Sequence, residues 1–201
     1  MTKPGKRESC ASGTDEKHTG RAQSIVLSRI ERGIDFTIRS SDNTNVMNKE
    51  FQSHIDKLPV LLDRLVNYPL MPRSKLVNIP DKGIYVFYED GCPIYVGRTN
   101  RMRGRIMEHG RQSSNHNTAP FAFNIAKKSA TEIGTVIARS RSELEKDPVF
   151  VSLSLFLEAK DKVSKMLTRV IEVDDPIIQT LFEVYASIAL NTVVYNHFDT
   201  H

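Results

Sequence analysis

Cysteine is almost missing: Cys10 and Cys92 are the only two in 201 residues. Two thiols cannot build the disulfide framework of a small secreted scaffold, and a reduced thiol is the simpler expectation for each. No Cys/His cluster offers a zinc site. Long apolar runs are lacking as well. No stretch approaches the roughly 20 apolar residues that a helix needs to span a bilayer, and the N-terminus has no apolar signal-peptide core. These absences predict a protein that works inside the cell, in the cytoplasm and without a membrane partner. No internal repeat is visible, and the length suits one domain with an extension.

Charge imbalance is slight. Lys and Arg total 28 against 24 Asp and Glu, a formal +4, with a pI near 9.1. That is compatible with an acidic polymer as partner, but local clustering matters more. The densest cluster is Arg98–Arg111, which holds five arginines, one acid and no lysine. Arginine presents a planar fork of donors that fits phosphate oxygens, which favours an anion site over a merely solvated face.

Residues 1–22 are rich in Lys, Ser, Gly and Thr, too polar to offset the entropy of ordering, and are expected to be a disordered tail. Residues 23–80 read as a helical N-terminal extension and linker. A short helix is expected over 23–34. A second follows Asn48, with apolar spacing through Phe51, Ile55, Leu58, Leu61, Leu62 and Leu65, and Pro59 is placed to kink or restart it. Pro69, Pro72 and Pro80 delimit the linker.

Residues 81–201 form the main domain. Asp90-Gly91, flanked by apolar and aromatic residues, predicts a β-hairpin. Alternation puts Tyr85 and Phe87 on one face, and Ile84, Val86 and Tyr88 on the other. A helix should run from an Asn100 cap to a Gly110 stop, with Arg101, Arg105 and His109 four apart along it. Gly104 inside that helix costs about 1 kcal/mol against Ala and suggests a close backbone approach. Residues 111–118 read as a polar surface loop, or a mobile one over a site. Helices follow from Phe121 and over 141–166, interrupted at Pro148. Leu167–Val173 reads as a third strand, and Pro176 opens a last helix, with Asp174 and Asp175 at its positive end. The order predicts an α+β fold, a small three-stranded antiparallel sheet flanked by helices.

Gly83-Ile84-Tyr85 and Tyr95-Val96-Gly97 stand at the outer ends of the hairpin, with Tyr95 ten residues past Tyr85. Arg105 lies ten past Tyr95, and His109 four further. This pattern resembles the GIY-YIG nuclease family over residues 81–197. Val96 replaces the second Ile of the family name, and Arg98 stands where many relatives carry Lys. The resemblance implies a metal-dependent DNA endonuclease, restriction-like or standalone, in the cytoplasm or at the nucleoid. Tyr85, Tyr95, Arg105, His109 and Asn196 would form the catalytic set, with Arg98 and Arg101 binding phosphate. Glu183 would hold Mg²⁺ or Mn²⁺. Tyr85 would be the base, its phenol acidified by neighbouring cations. Gln179, Glu183 and Ser187 also suit an ordinary polar helix face, and Asn191 a C-cap. A DNA-binding module of the same fold that no longer cuts is the alternative. Oligomeric state and target sequence are not legible.

Overall fold

A computed structural model of the chain describes residues 48–134, 140–196 and 198. The expected tail over 1–22 and the helix over 23–34 lie outside the described residues. The chain divides after Met47, and Asn48–His201 forms one unit.

Asn48 opens α1 (Lys49–Ile55) by accepting hydrogen bonds from the amides of Glu50 and Phe51. Pro59 restarts the chain as α2 (Leu58–Asn67) from its first turn, where no amide hydrogen is needed. The sheet has four antiparallel strands: β1 (Met71–Pro72), β2 (Gly83–Glu89), β3 (Cys92–Thr99) and β4 (Leu167–Glu172), in the order β1-β4-β2-β3. Three were expected. The additional one, β1, pairs Met71 with Thr168 and Pro72 with Leu167. Two residues show no alternation, and Pro72 fits only because β1 is an edge.

The β2–β3 turn is the expected one. Asp90 and Gly91 have φ of 49° and 81°, the left-handed pair that a two-residue hairpin requires. A bulge between Phe87 and Tyr88 shifts the register, so that Phe87 faces Tyr95 and Tyr88 faces Pro93. Cys92 is disulfide-bonded, in contrast to the reduced thiol expected for it.

Helices cover both sheet faces. Tyr85, Phe87 and Val170 pack with residues of α3 (Met102–His109), α4 (Pro120–Glu132) and α7 (Leu155–Lys165). Ile84, Val86, Tyr88, Val96 and Ile171 pack with α2 and α8 (Pro176–Ala189). The expected division of β2 between two faces is therefore the observed one. Between α4 and α7 lie α5 (Arg141–Lys146) and α6 (Pro148–Ser152). Asp147 ends the first and caps the second, accepting from the amides of Val149 and Phe150.

Two expectations about α3 are exchanged. Its N-cap is Arg101 rather than Asn100, and the Asn100 side chain instead accepts from Gln179 at 3.3 Å. A Cβ on Gly104 would meet nothing nearer than Arg101 Nη1 at 3.8 Å, so no backbone crowds that turn. The close approach is at Gly110, whose Cβ would lie 2.8 Å from both N and Cα of Ser164. Gly110 ends α3 at an ordinary φ of −113°, so it is chosen for size and not for a left-handed turn. Among the described residues no helix is long and apolar enough to cross a membrane.

Candidate active site

The glycines of the two tripeptides have a steric reason. Gly83 has φ of 136°, and any Cβ there would overlap the Ile171 carbonyl on β4. Gly97 stands directly opposite Tyr85 across the ladder. A Cβ at Gly97 would overlap Cζ and Oη of Tyr85. The bare Gly97 backbone is the floor on which the Tyr85 phenol rests, and that seat sends the hydroxyl toward α3. Gly97→Ala should therefore displace the ring and cost about 1–3 kcal/mol through overpacking. Denaturant unfolding measures it, and an unchanged midpoint would show that the ring has room elsewhere.

Tyr85 Oη lies 2.8 Å from His109 Nε2. Both residues are buried, at 1% and 0% exposure. Burial pushes the Tyr85 phenol well above its ordinary 10.0, the neighbouring Tyr95 adds to this, and Arg105 opposes it. The sequence had implied the reverse, a phenol acidified by its cations. Desolvation wins because loss of water penalises a phenolate more than one partly exposed guanidinium repays. Burial likewise holds His109 well below 6.5, and the charges of Arg105 and Arg73 push it further down. The pair is thus a neutral phenol beside a neutral imidazole. Arg105 is a neighbouring cation that acts on the phenol. A guanidinium can only donate, so of these two neighbours only His109 Nε2 can receive the Tyr85 proton.

Tyr95 completes the aromatic wall. It is half-buried, stacks on Phe121 with centroids 4.4 Å apart and lies 6.2 Å from the Tyr85 ring. Burial raises its phenol to about 12, with Arg105 and Glu183 pulling in opposite directions. Arg105 Nη1 donates to the Thr118 carbonyl at 2.9 Å and reaches Glu108 at 3.4 Å. The line Arg101, Arg105, His109 therefore runs from solvent into the core. Arg101 is left outside the cluster: its side chain is 69% exposed and pairs with Glu108 at 3.1 Å.

Glu183 comes from the opposite layer, on α8. Its Oε2 accepts from Arg98 Nε on β3 at 2.9 Å. Burial raises the carboxyl above its ordinary 4.5, and Arg98 opposes the rise. The stripe through Glu183 is no solvated face. Gln179 is buried and donates to the Val173 carbonyl at 2.7 Å, and Ser187 is buried and donates to the Glu183 carbonyl at 2.7 Å. Asn196 sits beside the outer strand. Its Oδ1 accepts from Val96 N at 3.1 Å, and its Nδ2 donates to Val96 O at 2.6 Å. It braces β3 and touches none of the tyrosines. Asn191, with φ of 55°, follows α8 as the expected left-handed residue.

Several positions escaped the sequence reading. Arg73, in the proline-bounded linker, donates to the Met107 carbonyl at 3.1 Å and so closes the end of α3 beside His109. Lys160 is 4% exposed and donates to the carbonyls of Gln112 and Ser114 at 2.6 and 3.0 Å. The 111–118 segment is thereby tied down, in contrast to a mobile flap. Both contacts join residues more than 30 apart, at 34 for Arg73 and 46 or 48 for Lys160. No periodicity announces contacts of that kind.

Among the described residues no group of three or more His, Cys, Asp and Glu forms a cation cage. A lone carboxylate suits a hard divalent ion that keeps most of its waters, and Glu183, held by a single arginine, fits that description. A scan against family models finds no match to the chain, and comparisons with curated proteins and with solved structures find none either.

Proposed function

We propose that this protein is a metal-dependent DNA endonuclease of the GIY-YIG kind that hydrolyses phosphodiester bonds. The observation that supports it is convergence. Tyr85 and Tyr95 from the hairpin and Arg105 and His109 from α3 form one cluster, and Glu183 from α8 is close enough to bias both phenols. Of the residues that the motif spacing singled out, Tyr85, Tyr95, Arg105 and His109 lie together, Arg98 and Glu183 pair with each other, and Arg101 and the bracing Asn196 stand apart.

Arg98 and Arg105 would receive the phosphate, because each has an exposed part and a guanidinium fork. Glu183 would hold Mg²⁺ or Mn²⁺, which supplies charge neutralisation at the phosphoryl oxygens. Water attacks phosphorus, forming one P–O bond as the bond to the departing oxygen breaks. The water proton passes to Tyr85 Oη while the phenol proton moves to His109 Nε2. The departing oxygen takes its proton from solvent, and the His109 imidazolium, which burial disfavours, gives its proton up to solvent, so that the cycle balances. The relay keeps Tyr85 neutral, so its high pKa is no obstacle.

The expected result is Mg²⁺-dependent nicking or linearisation of plasmid DNA by the purified protein. Arg105→Ala should lose on the order of 10²–10³-fold in rate, as for removal of a preorganised charge at the reacting group. Duplex binding without cutting under any divalent ion would instead support the non-cleaving module. The closed Arg98–Glu183 pair is the feature that favours that second reading, since the carboxylate already has a cation.

A further inference from the structure

Phe121, Asn124 and Lys128 recur on one face of α4 at helical spacing. All three meet the turn that follows α8. Phe121 stacks on Tyr95 with centroids 4.4 Å apart and meets the Tyr195 ring edge-on at 5.7 Å. Asn124 Nδ2 donates to the Tyr195 carbonyl at 3.4 Å. Lys128 Nζ lies 5.3 Å from the centre of the Tyr195 ring. A file of rings thus runs from Tyr85 through Tyr95 and Phe121 to Tyr195, and it ends on an ammonium group.

The outer end of that file is held from three sides. The Tyr195 amide donates to the Thr192 carbonyl at 3.1 Å, and the Thr192 amide to the Ser187 carbonyl on α8 at 2.9 Å. The next residue, Asn196, is bonded twice to Val96 on β3, and Asn124 ties the segment to α4. The half-buried Tyr195 ring is therefore a fixed seat for the lysine. Glu132 stands four residues beyond Lys128, but lysine preceding glutamate is the weaker order for such a pair. Among the described residues no ion pair joins Lys128 to an acid. An aromatic face attracts an exposed ammonium by about 0.5–1 kcal/mol and leaves its charge and its donors unfilled. Lys128 is held in place without being neutralised, and the exposed Lys127 adds a second positive charge beside it.

Resting on the nuclease reading above, we infer that Lys128, seated on Tyr195, is a DNA-backbone subsite flanking the cleavage centre. It takes a phosphate of the strand whose scissile group lies at Arg105. Two turns of α4 carry Lys128 about 10 Å from Phe121, the ring that stacks on Tyr95. The charges of one strand recur every ~3.4 Å along a duplex, so a phosphate about three steps from the cut lies at that range. A lysine meets phosphate as a point charge on a flexible stem and reads no base edge. The subsite therefore supplies affinity and register, and no sequence preference.

The test uses the full chain and a mixed-sequence duplex oligonucleotide, with affinity measured as a function of salt in Ca²⁺. Each phosphate contact contributes about 0.9 to the slope of log K against log salt. Lys128→Gln should lower the slope by about one and weaken binding about 5–10-fold, irrespective of sequence. Lys128→Arg should restore the slope. Uncharged methylphosphonates placed about three steps from the wild-type cut should weaken wild-type binding to a similar extent, and Lys128→Gln should then cost nothing further. Lys128 is exposed, so each variant should unfold at the wild-type temperature. A wild-type slope in Lys128→Gln overturns the subsite and leaves the nuclease reading intact. Duplex binding without cleavage, with the slope still lowered in Lys128→Gln, sinks the nuclease reading alone. A wild type that binds no duplex overturns both.

Discussion

Glu183→Ala should abolish Mg²⁺-dependent cleavage, by on the order of 10³-fold or more, and leave duplex affinity intact or slightly improved. The rate loss follows from the metal role proposed for this carboxylate: among the described residues no group of three or more acids, imidazoles or thiols offers a divalent ion another cage, so several kcal/mol of transition-state charge stabilisation would go with it. The affinity result follows from the ion pair. Glu183 holds Arg98 at 2.9 Å, and the Arg98 side chain is still 47% exposed. Removing the carboxylate frees that guanidinium for phosphate and takes a negative charge from the cleft. Cleavage and Ca²⁺-supported binding measured side by side separate the two effects. If Glu183→Ala cuts as fast as the wild type, the metal assignment fails. Loss of binding together with cleavage would mean that Glu183 matters chiefly as a structural partner of Arg98.

Tyr85→Phe should lower the cleavage rate by about 10²–10⁴-fold, the usual worth of a positioned proton-transfer group. Its structural cost should be about 1–3 kcal/mol, because His109 Nε2 is left buried without its 2.8 Å partner. The pH profile discriminates further. A phenolate base would make the rate climb tenfold per pH unit through neutrality. A neutral phenol handing its proton to a neutral imidazole gives a plateau instead, because Tyr85 titrates well above 10.0 and His109 well below 6.5. The rate should fall only on the acid side. Stability follows the same direction. The unfolded chain binds a proton at His109 near 6.5 and the folded one does not, so this contribution is complete above that pH and lost as pH falls toward the lower folded value. A rate rising steadily from neutral to alkaline pH would sink the relay and restore the phenolate.

Much of this site was readable in the chain because its markers are local. The hairpin turn, the two-face alternation of β2, the Asp175 cap of α8 and the left-handed Asn191 each depend on neighbours within a few residues. Ionisation was misread because it depends on burial, which spacing does not report: the arginines flank Tyr85 as expected, and desolvation still outweighs them. Arg101 stands outside the cluster for a related reason. Its helical spacing aligns it with Arg105, yet one turn nearer solvent Glu108 captures it. Arg73 and Lys160 were missed because each acts through a contact made only when distant segments meet. The β1 strand was missed because two residues, one a proline, carry no period.

The bond pair between Asn196 and Val96 has a consequence for association. An outermost strand ordinarily offers its amides and carbonyls as a template on which another chain can build. Here a carboxamide mimics that visitor: it gives one hydrogen bond and takes one at Val96, and the site for sheet extension is filled from within. At the opposite margin the ring of Pro72 withholds an amide donor. Both borders of the sheet are thus poor templates for self-assembly, and a chain cut short before Asn196 would lose that protection beside Tyr95.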